Sequence, residues 1–484
     1  MAQSTQREPM GRVDKAWLEM DHETNQMIIN GVMLFDAPLT YAAVLDVFAH
    51  RMVEQFPRFR QRVVEAPPGS NRFFWEDDPY FDIRAHLLHI ALPAPGDIAT
   101  LQQLVGTLMS TSLDRSKPVW VVYLIDNVDG ASALFARFHH AIADGIALIQ
   151  VMLSMTDTDP DAALLPVLDV PAVAPRTGTG GGLVGGGVRL VRRTVRQAAG
   201  LTETAVRGGL HVVRDPKDAL DVARGAGIVS AASAAVLARL LLIPPDRPSV
   251  YRGELGIAKR AVWSESVSLA QVKAIGRATG GTVNDVLIGA LTGALRADML
   301  ERGDDPHDGD LRAMVPVNLR KAGAQLTLGN QFGLVYLSLP VSFDDPLRRL
   351  YEVKRRMDLL KQSPEAVVAY QVLNLLGYIP GEIAARGVEL FAAKASAVLT
   401  NVPGPQRPLY FAGKPIRRIM FWVPQSGDIG LGISIISYNG TVTLGLVIDE
   451  KLCAEPERIL QRFVQEFDVL SSLADHLSRF NDSE

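Results

Sequence analysis

One cysteine, Cys453, occurs in 484 residues, so no disulfide can form within the chain. A single thiol fits a reducing compartment and leaves stability to buried apolar surface. Neither charge sign is in excess: the formal net charge is -4, which argues against a general nucleic-acid binder. The opening stretch MAQSTQREPMGRVDK has no apolar core, so no secretory signal is expected. Long hydrophobic runs are missing as well. The best candidate, GAGIVSAASAAVLARLLLI (225–243), is rich in Ala and Ser and carries Arg239. A spanning helix needs about 20 strongly apolar residues, so this segment reads as a core or interfacial helix. No short-period repeat is present.

What is there is globular. Apolar residues make up 48% and charged residues 21% of the chain, enough for a large core, and the length suits two domains and a connection. Residues 25–36 read as a strand and 40–56 as a helix. Residues 119–141 read as a hairpin turning at DNVDG, and 145–155 as a short apolar helix. A Pro- and Gly-rich stretch after residue 166 marks a linker. In VRLVRRTVRQ (188–197), helical spacing would put Arg189, Arg192, Arg193 and Arg196 on one face. Such a face is either solvated or laid on an anionic lipid surface. A second run of elements begins near 251: strand, helix, Gly turn and helix to about 300, strands at LRAMVPVNLR and NQFGLVYLSLP, helices between about 344 and 396, three more strands, and a last helix. The expected division is 1–165, 166–250 and 251–484.

The stretch RFHHAIADG (137–145) carries the chemistry. Read as a strand, ASALFARFHH alternates its side chains, so His139 and His140 point apart. That counts against a metal site using both, and no third ligand has a useful spacing. The face of Leu134, Ala136 and Phe138 is apolar until it reaches His140. A neutral imidazole in such a setting can act as a general base. Asp144 precedes the apolar helix and suits an N-cap, or an arginine partner that fixes the turn. Gly145 permits a tight strand-to-helix turn. Two core histidines before a helix cap would be the plain structural reading.

The spacing H-H-x-x-x-D-G resembles the active-site motif of the CoA-dependent acyltransferase superfamily. The resemblance implies that His140 is the base and that His139 and Asp144 are structural. An overlapping H-x-x-x-x-D pattern, that of glycerol-phosphate acyltransferases, would instead make His139 the base. The rest of the chain favours the first. PRFRQRV, FFWEDDPYFD, LDRSKPVW, TVNDVLIGALTGALR, VPVNLR, LGNQFG and TNVPGP, in that order, resemble the bacterial wax ester synthase/diacylglycerol acyltransferase family over nearly the whole chain. Pro118-Val119-Trp120 stands where that family usually has P-L-W.

The resemblance implies an α/β fold of two chloramphenicol-acetyltransferase-like domains, each a mixed sheet flanked by helices, with a tunnel between them. It implies acyl transfer from acyl-CoA, a cosubstrate rather than a bound cofactor, to diacylglycerol or a long-chain alcohol. A protein handling such acceptors is expected in the cytoplasm, peripheral to the membrane or to lipid inclusions, through 188–197 and 225–243. Thr282 and Asp285 form a capping box in TVND. Asn284 then lies in the first helical turn, where an amide can stabilise an oxyanion or bond locally to the turn. Arg320 is the expected partner of Asp144, and Asn330 is expected to shape the channel or a turn. Pro118 and Trp120 are candidate substrate contacts, with core packing the competing role for Trp120. Two other classes stay open: a condensation-type enzyme taking acyl groups from a carrier protein, and a non-catalytic lipid-binding relative.

Overall fold

The computed structural model describes residues 7–66, 72–162, 239–240, 242–320, 328–376 and 381–481. The basic segment 188–197 and most of 225–243 lie outside the described residues.

The first half builds a sheet on apolar strands. β2 (Ile28–Phe35), β6 (Trp120–Val128) and β7 (Ala131–His139) are antiparallel neighbours, and β5 (Leu87–Ala91) lies parallel on the β6 edge. The DNVDG turn forms as its residues demand. Asp129 and Gly130 take positive φ of 50° and 78°, as a tight hairpin requires, and Asn127 adds a bulge before it. The helix expected over 40–56 changes character midway. Its α part (Tyr41–Val47), capped by Thr40, passes into a wider π turn (Phe48–Val53). α4 (Gly145–Ser154) covers one sheet face, and α3 (Ile98–Met109) packs elsewhere. A separate small sheet joins β1 (Arg7–Pro9), β4 (Phe73–Asp77) and β3 (Gln61–Glu65), next to α1 (Arg12–Glu19).

The second half forms a mixed sheet. Its order is β11 (Phe332–Leu339), β10 (Leu311–Asn318), β12 (Ala397–Pro403), β15 (Leu431–Tyr438), β16 (Thr441–Asp449) and β8 (Lys259–Trp263), with the short β9 (Val267–Ser268) also on β16. Helices α5 (Leu269–Thr279), α6 (Val283–Glu301), α7 (Pro346–Gln362) and α10 (Glu457–Asn481) pack together on it. α8 (Glu365–Leu376) and α9 (Gly381–Ala392) fill the region between α7 and β12. Fold class is therefore α/β with two mixed-sheet halves, as expected.

Sequence order does not divide the sheets cleanly at 250/251. β13 (Tyr410–Phe411) and β14 (Lys414–Trp422) come from the second run yet complete the first sheet, with β14 antiparallel to β2. This exchange ties the halves covalently and buries Trp422 completely, its ring 5.8 Å from that of Trp263. α3 closes a second contact: a Cβ at Gly106 would lie 2.6 Å from the Lys259 carbonyl, so only glycine lets α3 lie on β8. Among the described residues no helix is long and apolar enough to cross a membrane.

One glycine holds the second half's layers at their spacing. A Cβ on Gly333 would stand 1.8 Å from the Ala366 carbonyl of α8. Gly333→Ala is expected to cost about 3 kcal/mol by overpacking, read as a lowered midpoint in urea unfolding. An unchanged midpoint would show that α8 moves freely off β11.

Candidate active site

The site forms where β7 ends. The strand stops at His139, one residue short of the stretch read as extended, and His140 lies in the turn that follows. Its backbone is held from two sides: the His140 amide donates to the Met27 carbonyl at 2.7 Å, and its carbonyl accepts from Asn330 Nδ2 at 2.9 Å. The ring stacks on Trp17 of α1, centroids 4.3 Å apart and planes 19° from parallel, and meets Phe332 at 5.5 Å. Burial in this aromatic slot pushes the His140 pKa down to about 4, although the nearby Asp144 carboxylate opposes the shift. The imidazole is therefore neutral at pH 7. Its Nδ1 is buried with no hydrogen-bond partner among the described residues.

His139 faces a different set of groups. Its Nδ1 accepts from the Ala141 amide at 3.1 Å, and its Nε2 lies 3.6 Å from Asp21. Burial works against ionisation of Asp21. Hydrogen bonds and charge from His139, together with Arg115 and the Met27 amide, outweigh it and bring the pKa to about 2. His139 thus braces the strand end, and the two rings do point apart.

Asp144 organises the turn. Its backbone is extended and its Oδ1 caps α4 through the Ala147 amide at 3.0 Å. Its Oδ2 takes Arg320 Nη1 and the Gln331 amide, the latter at 2.9 Å. Arg320 Nη2 adds a bond to the Gly329 carbonyl at 2.7 Å. Gly145 opens α4. The LGNQFG motif becomes legible residue by residue. Gly329 takes φ of +108°, a region closed to most side chains, and pairs with Ala143. Asn330 ties His140 to Asp14, Gln331 binds Asp144, and Phe332 flanks the imidazole.

Asp14, Trp17 and Asp21 are site residues that sequence reasoning missed. Asn330 Nδ2 reaches Asp14 Oδ1 at 2.7 Å and the Asn330 amide reaches it at 3.2 Å. Burial raises the Asp14 pKa despite those bonds. α1 carries no motif, and the partners that place Asp14 and Trp17 in the site, Asn330 and His140, lie more than a hundred positions away, so nothing local reveals them.

The remaining expected residues sit as follows. The capping box is present: Thr282 Oγ1 accepts from the Asp285 amide at 3.3 Å, and Asp285 Oδ2 accepts from the Thr282 amide at 2.7 Å. Asn284 is exposed in the first turn of α6, its Oδ1 accepting from Asn401 Nδ2 at 3.0 Å. Among the described residues no hydrogen bond or ring contact joins Asn284 to His140. Trp120 takes the core position that competed with a substrate contact in the sequence reading. It is 2% exposed, its Nε1 donates to the Phe59 carbonyl, and its ring stacks on His86 at 4.6 Å. Phe138 stacks on the indole as well, at 6.2 Å, so Trp120 packs within the core. Pro118 is buried beside it, at the start of β6.

Two tests follow from this geometry. Arg320→Met strands a carboxylate that is 4% exposed, so a loss of about 3–5 kcal/mol is expected, with Arg320→Lys recovering part of it; equal stability of the Met variant would remove the pair from its structural role. The second test is acidification. An unfolded histidine titrates near 6.5 and folded His140 near 4. Both forms are neutral above pH 6.5; between 6.5 and 4 only the unfolded chain takes the proton. Stability should fall by about 1.4 kcal/mol per pH unit in that window, roughly 3 kcal/mol in all, and level off below it. His140→Gln should lose this limb; identical pH slopes for both proteins would refute the buried neutral imidazole.

Comparison with known proteins places this geometry. The wax ester synthase/diacylglycerol acyltransferase catalytic domain matches residues 10–287, and the C-terminal domain of the same family matches 328–471. A probable diacylglycerol O-acyltransferase of Mycobacterium tuberculosis is 28% identical over 460 residues, covering 92% of this chain and 95% of that protein. The O-acyltransferase WSD of Acinetobacter baylyi is 25% identical over 487 residues, covering 96% and 97%. The solved wax ester synthase/diacylglycerol acyltransferase of Marinobacter aquaeolei has the same fold, with TM-score 0.66 at 21% identity over 96% of this chain and 100% of that one. The chain is an acyltransferase and belongs to the wax ester synthase/diacylglycerol acyltransferase family.

Proposed function

We propose that the protein transfers a long-chain acyl group from acyl-CoA to the hydroxyl of diacylglycerol, or of a long-chain alcohol, with His140 as general base. One observation carries the assignment: a buried, neutral imidazole, stacked on Trp17, flanked by Phe332 and pinned through its own backbone. With Nδ1 buried, Nε2 is the nitrogen left for the substrate. It takes the hydroxyl proton as the acceptor oxygen attacks the thioester carbon. The tetrahedral oxyanion collapses, the C–S bond breaks, and the imidazolium returns its proton to the departing thiolate. The products are the ester and free CoA, and no covalent enzyme intermediate is needed.

Asn284 serves the oxyanion in this reading. Its support is its place at the exposed N-terminal turn of α6, where the helix dipole and an amide act together. Asp144 and Arg320 act by holding the turn. Acyl-CoA is a cosubstrate, and the reaction asks for no resident cofactor. The acceptors are membrane lipids, so the protein works at the inner membrane face or on lipid inclusions.

The test is CoA thiol release from palmitoyl-CoA, with diacylglycerol, hexadecanol or no acceptor. Acceptor-dependent release should fall at least about 100-fold in His140→Ala and more mildly in Asn284→Ala. Full activity of the histidine variant would overturn the base assignment and redirect attention to His139.

A further inference from the structure

A neutral imidazole holds one proton, and a base nitrogen must be bare. With Nε2 turned to the substrate, His140 must therefore carry its proton on Nδ1. A buried N–H calls for an acceptor. Asp144 does not supply it. Its Oδ1 accepts from the Ala147 amide and its Oδ2 from Arg320 and the Gln331 amide, so it reaches the ring only as a charge acting through space. The Trp17 indole N–H is a donor only, and the Phe332 side chain has no polar atom.

The Asn330 side chain has the complementary lack. It is 6% exposed, and its Oδ1 is buried without a hydrogen-bond partner among the described residues, as is His140 Nδ1. The sense of the amide is forced. Nδ2 faces two acceptors, Asp14 Oδ1 at 2.7 Å and the His140 carbonyl at 2.9 Å. The same Asp14 oxygen also accepts the Asn330 backbone amide at 3.2 Å. Burial raises the Asp14 pKa, but a proton on Oδ2 would leave Oδ1 accepting. Turning the amide over would set oxygen against both acceptors, so Oδ1 is the atom offered elsewhere. Asn330 lies near enough to the imidazole to favour its charged form, as does the ring's own backbone carbonyl. That carbonyl already accepts from Nδ2, whereas Oδ1 has nothing else to accept.

Resting on the general-base reading above, we infer that Asn330 is a positioning residue for His140: its Oδ1 accepts the Nδ1–H, which selects the tautomer with a bare Nε2, and Asp14 locks the amide in the sense that allows this. The bond closes as the reaction proceeds, as catalytic hydrogen bonds often do. When Nε2 takes the hydroxyl proton the ring becomes a cation, and a charged donor bonds roughly twice as strongly as a neutral one. The gain therefore falls in the transition state and raises kcat. Once the imidazolium gives its proton to the departing thiolate, the resting tautomer returns. An amide suits this slot better than a carboxylate, because it orients the ring without a charge that would hold it protonated. Asp14 and Trp17 lie three residues apart on α1, so one helix sets the plane of the ring and, through Asn330, the place of its proton.

The experiment pairs NMR of the imidazole nitrogens in histidine-labelled protein with steady-state kinetics on palmitoyl-CoA and hexadecanol. It compares wild type with Asn330→Ala, Asp14→Ala and Asp14→Asn, each checked for a native melting transition; signals lost in His140→Gln identify His140. Wild type should show the proton on Nδ1. In Asn330→Ala the nitrogen signals should converge toward mixed tautomers, and kcat should fall about ten- to hundredfold with KM nearly unchanged. Asp14→Ala frees the amide to turn and should move both readouts the same way by less. Asp14→Asn keeps an acceptor oxygen and should recover most of that change, so the pair tests the inference even if Asn330→Ala fails to fold. An unchanged tautomer in folded Asn330→Ala would hand the proton to the ring's own carbonyl and overturn the inference. So would a wild-type proton on Nε2, or a tautomer indifferent to both Asp14 variants. The expected tautomers without CoA release from wild type would overturn the general-base reading and leave the hydrogen bond standing.

Discussion

The Asp144 carboxylate is the constraint on which the site depends. It is almost fully buried against the Arg320 guanidinium, and a buried ion pair is tolerable only when its remaining hydrogen-bonding groups are answered. Its partners are the Ala147 amide of α4, the Arg320 guanidinium and the Gln331 amide. The first belongs to α4, and the other two belong to the connection between β10 and β11. Meeting the demand of one carboxylate therefore docks the β10–β11 connection against the end of β7. That docking brings Asn330 under the His140 carbonyl and Phe332 beside its ring.

The chemistry inherits this rigidity. A general base works when its geometry is fixed and its proton is absent. Trp17 and Phe332 flank the His140 imidazole, and burial beside them disfavours its charge and leaves it neutral, the state that the proposed base role requires.

Exchange of β14 between the halves has a comparable role at larger scale. Its apolar residues complete a sheet begun nearly four hundred positions earlier. Trp422 and Met420 pack across to the second sheet, where Gly445 leaves room for Met420. The halves cannot separate without breaking strand pairing, which suits a site assembled from both.

Local sequence determined the elements whose cause is local. Asp129-Gly130 made the hairpin, and Thr282 and Asp285 made the capping box, whereas His140 lies in the turn beyond the strand whose alternation was expected to include it. The ion pair of Asp144 with Arg320 was legible only through family resemblance, since 176 residues separate the partners. Tertiary structure alone decided the rest. Trp17 and Asp14 sit in an unremarked helix and act through distant contacts. Trp120, an aromatic inside a suggestive motif, went to the core because Phe59 and His86 satisfied it there. β14 joined the far sheet because edge pairing is a choice among all strands present, and no window of sequence contains the alternatives.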